Sequence, residues 1–182
     1  MVKERLWLTP TMPGGVKVRH VGLLDLDEFY RWFMMWFEFE GYTTMDDGLE
    51  KFYLEQELPN GAKNIEIRWT AKKTENQYFS YVIDVIFLLI GVAKAEYVSP
   101  DGKKIPLYSG DFELRMGTYI EKGVEGDSML QRVYDKFFIS RLIEDHKMKL
   151  YDKFYSLQSE IKNYFEEYVK LQESWFTVGR KY

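Results

Sequence analysis

The sequence contains no cysteine and only two histidines among its 182 residues. Without thiols the chain can form no disulfide, no thiolate metal site and no cysteine nucleophile. The histidines, His20 and His146, lie far apart in sequence, and neither belongs to a cluster with the spacing of metal ligands. We therefore predict no metal and no cofactor. The absence of cysteine also favours a reducing compartment, and we predict a cytoplasmic protein.

Long apolar runs and catalytic motifs are also missing. The longest apolar run, residues 85–93, has nine residues when Gly91 is counted, whereas a membrane-spanning helix needs roughly 20. The glycine-containing segment 123–128 carries two acidic residues and lacks the lysine of a phosphate-binding loop. The sequence thus predicts a protein that does not enter a membrane and is not an enzyme.

Charge is plentiful but unevenly distributed. Charged residues make up 30% of the chain and aromatic residues 18%, and the formal net charge is −4. Residues 25–61 include ten acidic side chains and only two basic ones, so this stretch should repel a phosphate backbone. Contact with RNA is therefore predicted only at the basic, aromatic ends of the chain. The high charged content also favours a thermostable protein.

A first helix is predicted between Asp25 and Gly41. Asp25 followed by Glu28 has the spacing of a capping box, and a glycine such as Gly41 commonly ends a helix. Apolar side chains occupy most of the helix circumference, and a second apolar stripe lies beside the one expected to face the core. This second stripe consists of Trp32, Met35 and Phe39. Since one sheet covers only one side of a helix, we predict that the second stripe contacts a partner.

Alternating polar and apolar residues predict an antiparallel meander. Residues 52–58 and 65–71 alternate on either side of a turn at residues 59–61. Two further segments, residues 77–90 and 112–121, follow, and a bulge or bend is expected at Gly91. Val16 and Val18 indicate another short strand before the first helix. The predicted fold class is α+β, with an antiparallel meander sheet of five to six strands.

The C-terminal third is predicted to form two helices, or one bent helix, that pack on this sheet. Ser128 and Gln131 have the spacing of a second capping box. Over residues 150–175 apolar side chains recur every three or four positions, as along a heptad seam. The pattern fails upstream, so a break is expected near residues 145–147. We predict a single domain over 1–182, with an arm (1–15), a strand, helix and meander region (16–126), C-terminal helices (127–175) and a tail (176–182).

The leading functional hypothesis is a non-enzymatic interaction or assembly module, either a homo-oligomer or a subunit of a larger complex. It follows from the excess of apolar helix surface, because leaving large apolar side chains in water costs roughly 2 kcal/mol each. The candidate interface residues are Trp32, Met35, Phe39, Phe154, Tyr164, Phe165, Tyr168 and Trp175. The other interpretation, that the seam packs on the domain's own sheet, stays open.

Two further functions remain open. A hydrophobic small molecule could occupy a cavity between the sheet and the C-terminal helix, with Trp69, Asp84 and Arg115 as candidate cavity residues. Asp84 interrupts an apolar strand, where a buried carboxylate needs a partner, and Arg68 or Arg115 is expected to neutralise it. The third possibility is a ribosome- or RNA-associated factor that uses residues 16–20 and 175–182.

The order of elements resembles the helix-grip arrangement of START-like proteins, in which a strand and helix precede a meander and a long C-terminal helix. That resemblance implies a sheet-lined cavity for hydrophobic ligands, closed by the terminal helix. Two segments, residues 59–67 (PNGAKNIEI) and 134–139 (YDKFFI), look like parts of a family of small archaeal proteins with no assigned function. The second resemblance implies an archaeal origin and no mechanism.

Overall fold

The computed structural model describes residues 4–76, 78–98, 104–122 and 140–178, with side chains of the last helix described to residue 170. These residues form a mixed α+β fold with one open antiparallel sheet, which confirms the predicted class. The elements in chain order are β1 (Arg5–Trp7), β2 (Val16–Leu24), α1 (Leu26–Phe39), β3 (Glu50–Glu57), β4 (Lys63–Thr74), β5 (Phe79–Val98), β6 (Lys104–Lys122) and α2 (Ser140–Val178).

The number of helices in the described residues is two, not the predicted three. The predicted capping box at Ser128 and Gln131 lies outside the described residues. The expected break near residues 145–147 is wrong, because α2 is continuous from Ser140. Its buried face continues upstream of Leu150 through His146 and Ile143, which contact the core in place of Lys147. A helix of 3.6 residues per turn drifts from a strict seven-residue register, so the buried face passes to these neighbouring positions.

The sheet has six strands, and β6 pairs with β5 on one side and with both β1 and β2 on the other. From β6 the order continues through β5 and β4 to β3, which lies at the end of the sheet. Strand β1 falls in the segment that was predicted to be an arm. Three residues are too few for alternation to show in a sequence, and β1 is defined by its pairing with Tyr119, Ile120 and Glu121 of β6.

The predicted bulge at Gly91 is confirmed. Gly91 has φ of +62°, and the pairing between β5 and β6 shifts register between Ile90 and Ala93. Before the bulge Leu89 faces Phe112 across the strands, and beyond it Lys94 faces Tyr108. Phe112 and Tyr108 are four residues apart on β6 and therefore share a face. The extra residue thus brings Lys94 to the helix-covered face, where simple alternation would place Ala93.

Helix α1 begins and ends where the sequence predicts. The Asp25 carboxylate accepts a hydrogen bond from the backbone N–H of Glu28 at 2.8 Å, and Gly41 follows the helix with φ of +76°. Phe29, Phe33 and Phe37, spaced by about one helical turn, are buried. Phe33 and Phe37 contact Trp69 of β4, whereas Phe29 contacts rings of α2. This row fixes α1 across the face of the sheet.

Helix α2 covers the part of the same face formed by β2 and β6. Four successive seam residues are fully buried: Leu150, Phe154, Leu157 and Ile161. This part of the seam, residues 150–161, therefore packs on the domain's own sheet. We call the region between α2, β2 and β6 the closed half of the helix-covered face.

Candidate functional site: a cleft beneath helix α1

A cleft of about 750 Å³ lies between the first turns of α1 and the ends of strands β3 to β6. We call it the open half of the helix-covered face. Its floor is apolar and is formed by Ile65 and Ile67 of β4 together with Phe87 and Leu89 of β5. Clefts of this size and composition are typical of sites for small molecules.

Strand register explains why the floor is apolar. Ile67 pairs with Phe87 on one side and Tyr53 on the other, and Ile65 pairs with Leu89 and Glu55. Residues directly opposite each other in an antiparallel sheet point to the same face. The two rows of side chains therefore run from a polar edge on β3 to an aliphatic and aromatic centre.

The helix wall of the cleft carries a fixed tyrosine. The Tyr30 hydroxyl donates a hydrogen bond to Glu50 Oε2 at 2.7 Å and accepts one from the Trp69 indole N–H at 3.2 Å. Burial, reinforced by the neighbouring Glu50 carboxylate, raises the pKa of Tyr30 well above its usual value. The phenol is therefore neutral and is held in one position at the cleft.

The β3 wall carries a second phenol and a carboxylate with two donors. The Tyr53 hydroxyl donates to Glu55 Oε2 at 2.6 Å, and Lys63 Nζ donates to Glu55 Oε1 at 2.5 Å. The hydrogen bond to Glu55 raises the pKa of Tyr53 to about 12. The same two donors, Lys63 first, lower the pKa of the Glu55 carboxyl. Glu55 is thus ionised and already satisfied by its own chain.

Two basic side chains that line the cleft have no carboxylate partner among the described residues. Arg31 lies on α1 and donates through Nε to the backbone oxygen of Asp27 at 3.2 Å. Lys94 reaches the cleft from the far side of the Gly91 bulge. Within the described part of the chain neither Arg31 nor Lys94 forms a salt bridge with a carboxylate. Both side chains can therefore bind an acidic group of a molecule in the cleft.

The three predicted cavity residues do not come together. Trp69 lies on the helix-covered face, but Asp84 pairs with Thr70 and Gly117, and Arg115 pairs with Ile86, on the opposite face. Alternation within β4, β5 and β6 is the physical reason, since neighbouring residues of a strand point to opposite sides. A single cavity lined by all three is therefore excluded.

The predicted partners of Asp84 are also wrong. Arg68 donates to Glu66 at 2.6 Å and Arg115 donates to Glu113 at 2.5 Å, so both guanidinium groups pair along their own strands. Asp84 instead accepts a hydrogen bond from the Thr70 hydroxyl at 2.9 Å. Burial raises the pKa of its carboxyl above the usual value.

The predicted interface residues have different environments. Phe154 and Phe165 are buried within the chain. Trp32 and Tyr164 stack on each other with ring centroids 5.3 Å apart, and the Tyr168 hydroxyl donates to Glu28 at 2.9 Å, so these residues join α1 to α2.

Only two of the predicted interface residues with described side chains are largely exposed. Met35 is 63% exposed and Phe39 is 88% exposed, one turn apart on the solvent side of α1. The side chain of Trp175 and the basic tail that was predicted to contact RNA lie outside the described residues.

The polar residues of the cleft carry no local signature in the sequence. Tyr30 reads as part of an apolar helix stripe, and Lys94 reads as an exposed strand residue. The alternation of Ile65 and Ile67 with polar residues indicates the floor, but only the pairing of β3 with β4 brings Tyr53 and Glu55 beside it. Lys94 could have been placed correctly by counting the extra residue at the predicted Gly91 bulge.

Comparison with protein-family models, with curated proteins and with solved structures finds no match to this chain. Across the residues described here, no helix combines the length and apolar character needed to span a bilayer. The same residues contain no group of three or more histidine or acidic side chains arranged to hold a metal ion. The cleft is therefore interpreted from its own geometry.

Proposed function

We propose that this protein is a non-enzymatic binding protein that holds an elongated amphipathic small molecule in the cleft beneath α1. The observation that supports the proposal is the combination of an apolar floor with phenol and charged groups at the rim, in a cleft of about 750 Å³. The space under α2 is filled by Phe154, Leu157 and Ile161. The proposed site therefore lies under α1 and not under the C-terminal helix.

The chemistry of the ligand follows from the groups that line the cleft. Ile65, Ile67, Phe87 and Leu89 favour a hydrocarbon body, because transferring each CH₂ group out of water contributes about 0.8 kcal/mol. The carboxylate of Glu55 has two donors of its own, whereas Arg31 and Lys94 lack acidic partners within the described residues. We therefore propose a carboxylate or another anionic head group at the rim.

Titration calorimetry with a series of straight-chain carboxylates tests the hydrocarbon part. Affinity should rise about fourfold with each added CH₂ group until the chain fills the floor, as about 0.8 kcal/mol per group requires. Ile65→Glu, which places a charge on the floor, should abolish binding. Ile90→Glu is the matched control, because Ile90 is exposed on the opposite face and its variant should bind normally. Equal binding by both variants would exclude the cleft.

Head-group recognition is tested with an alcohol and a carboxylate of the same chain length. The carboxylate should bind more tightly, and Lys94→Gln or Arg31→Gln should reduce that preference by about tenfold, since a charge-assisted hydrogen bond contributes roughly 1.5 kcal/mol. Lys104→Gln is the control, because Lys104 pairs with Glu96 and neither residue lines the cleft. An alcohol that binds as well as the acid would contradict the anionic head group.

A second candidate function, self-association of the chain, is favoured by a separate observation. Strand β3 is exposed along nearly its whole length and carries Phe52, Tyr53 and Leu54, which are 40%, 52% and 52% exposed. Large apolar side chains on an unpaired strand edge promote pairing with another strand. Sedimentation over a range of concentrations tests this candidate. We expect a monomer–oligomer equilibrium, and a monomer at every concentration would refute it.

A further inference from the structure

We infer that two copies of this chain pair through the free edge of β3, as antiparallel strands related by a two-fold axis at Leu54. The inference rests on the self-association proposed above and names its partner, its surface and its register. It does not require the ligand proposed for the cleft, although Tyr53 and Glu55 border both the cleft and the strand edge.

The hydrogen bond that closes the β3–β4 turn shows which backbone N–H and C=O groups of β3 point away from the sheet. At the β3–β4 turn the Leu58 N–H donates to the Ala62 oxygen at 2.7 Å. In an antiparallel ladder, residue pairs that exchange backbone hydrogen bonds alternate with pairs that do not. Given that Gln56 pairs with Asn64 and Leu54 with Glu66, these even-numbered residues of β3 bond to β4. The N–H and C=O groups of Tyr53, Glu55 and Glu57 therefore point away from the sheet.

Over residues 52–57 this edge has few of the features that usually prevent pairing, although β3 as a whole carries Lys51, three glutamates and a bulge at its beginning. Within the described residues β3 has β4 as its single neighbouring strand, and residues 52–57 contain neither proline nor lysine. A bulge between Glu50 and Phe52 interrupts the edge only at its beginning. Edges that remain monomeric are commonly blocked by such residues or covered by another element.

Charge favours this register over one centred on Glu55. With Leu54 opposite Leu54 of the second copy, Tyr53 lies opposite Glu55 and Lys51 lies opposite Glu57 at both ends of the interface. Glu55 then faces a phenol, and Glu57 faces Lys51 at the bulge, across the strands, which stabilises the pair. A two-fold axis at Glu55 would instead place identical carboxylates directly opposite each other. The sequence of β3 is thus self-complementary about Leu54.

The paired strands would share an apolar patch on the face of the sheet away from the helices. Phe52 and Leu54 lie on the face away from the helices, as their partners Arg68 and Glu66 do. In the inferred register the two Leu54 side chains meet at a non-bonded position, where strands approach most closely. Phe52 of each copy flanks them. These half-exposed apolar side chains then share one covered patch.

Cysteine cross-linking tests the register directly, because the natural chain contains no cysteine. Residues opposite each other at a non-bonded position have Cα atoms about 4.5 Å apart, a separation that suits a disulfide. Leu54→Cys should therefore give a covalent dimer in nearly all molecules under mild oxidation. Gln56→Cys is the matched control on the same face and strand. Its counterpart lies four residues away, about 13 Å along the strand, so it should remain monomeric on denaturing gels.

Sedimentation of Leu54→Lys provides the second measurement. Two lysines facing each other at the axis should repel, and the dissociation constant of the dimer should rise at least tenfold. Ile90→Lys, on the same face but away from the edge, should leave that constant unchanged. A natural chain that is monomeric throughout would overturn both self-association and this inference. An oligomer that survives Leu54→Lys and does not cross-link at residue 54 would overturn the β3 pairing alone. If Leu54→Lys fails to fold, the cross-linking result decides.

Discussion

The two halves of the helix-covered face use similar residues but differ in how completely they are filled. In the closed half, Phe154, Leu157 and Ile161 of α2 fill the space over β2 and β6. In the open half, α1 covers an equally apolar floor but leaves a cleft of about 750 Å³. Native cores are packed to nearly uniform density. The gap therefore lies between a packed sheet face, to which Ile67, Phe87 and Leu89 belong, and the first turns of α1.

The difference follows from helix length and position. Helix α2 contributes buried side chains over more than four turns, from Leu150 to Phe165. Helix α1 has 14 residues and reaches β3 through the hydrogen bond from Tyr30 to Glu50, while β3 stays exposed along nearly its whole length. The sheet is thus wider than the helices that cover it. The cleft lies where the first turns of α1 meet this end of the sheet, and the exposed strand edge lies beside it.

The largest expected effect lies in the closed half. Phe154→Ala removes a fully buried ring between α2 and the sheet and should lower the free energy of unfolding by about 3 to 5 kcal/mol. Chemical denaturation followed by tryptophan fluorescence measures the change. A loss below about 1 kcal/mol would show that the closed half is not tightly packed and would break the comparison.

A matched pair of leucines sharpens the comparison. Leu114→Ala, in the core on β6, should destabilise the protein by about 4 kcal/mol. Leu89→Ala, on β5, should cost about 2 to 3 kcal/mol: Leu89 is only 2% exposed, but it borders the cleft, so its truncation widens an existing opening instead of creating a closed cavity. Both are leucines in central strands, so differences in strand propensity largely cancel. Equal losses in denaturation experiments would mean that the cleft floor is packed as tightly as the closed half.

A smaller effect is expected from pH in the closed half. His20 lies between Phe112 and Phe165, with ring centroids 6.0 Å and 5.3 Å away, and its Nε2 hydrogen bonds to the Leu23 oxygen at 3.0 Å. Burial lowers the pKa of His20 below 6.5 in the folded state. The unfolded chain therefore binds more protons as pH falls through about 6.5, and stability decreases in that range.

The measurement is the urea midpoint at about pH 7.5 and about pH 5.5. His20→Phe keeps an aromatic ring between Phe112 and Phe165 but removes the titrating group. The urea midpoint of this variant should therefore fall less between the two pH values than that of the natural chain. A residual decrease is expected from His146, whose pKa is also lowered, mainly by burial. An unchanged pH dependence in His20→Phe would contradict a neutral, buried His20.

The smallest effect is expected on the solvent side of α1. Phe39→Ala makes the same chemical change as Phe154→Ala, also in a helix, but at a side chain that is 88% exposed. Stability should change by no more than about 0.5 kcal/mol. The same denaturation assay checks this expectation. A loss of several kcal/mol in dilute protein would mean that Phe39 is covered in solution.

Prediction from sequence succeeded where local chemistry decides the structure. The Asp25 cap, the Gly41 stop, the hairpin at residues 59–61 and the Gly91 bulge are each specified by side chains within a few residues. Prediction failed where distant segments meet. The partner of Asp84 and the cavity set of Trp69, Asp84 and Arg115 were both wrong, because strand pairing between distant segments decides which face and which neighbours each residue has.

The sequence by itself determined an α+β chain of alternating strands and apolar helices, because periodicity, caps and turns are local properties. Only the tertiary structure decided which apolar surface is buried, since burial depends on where α1 and α2 lie across the sheet. It buried Phe154 and Phe165 and left Phe39 and the β3 edge exposed. It also opened the cleft beside Tyr30, because the sheet extends farther than its two helices can cover.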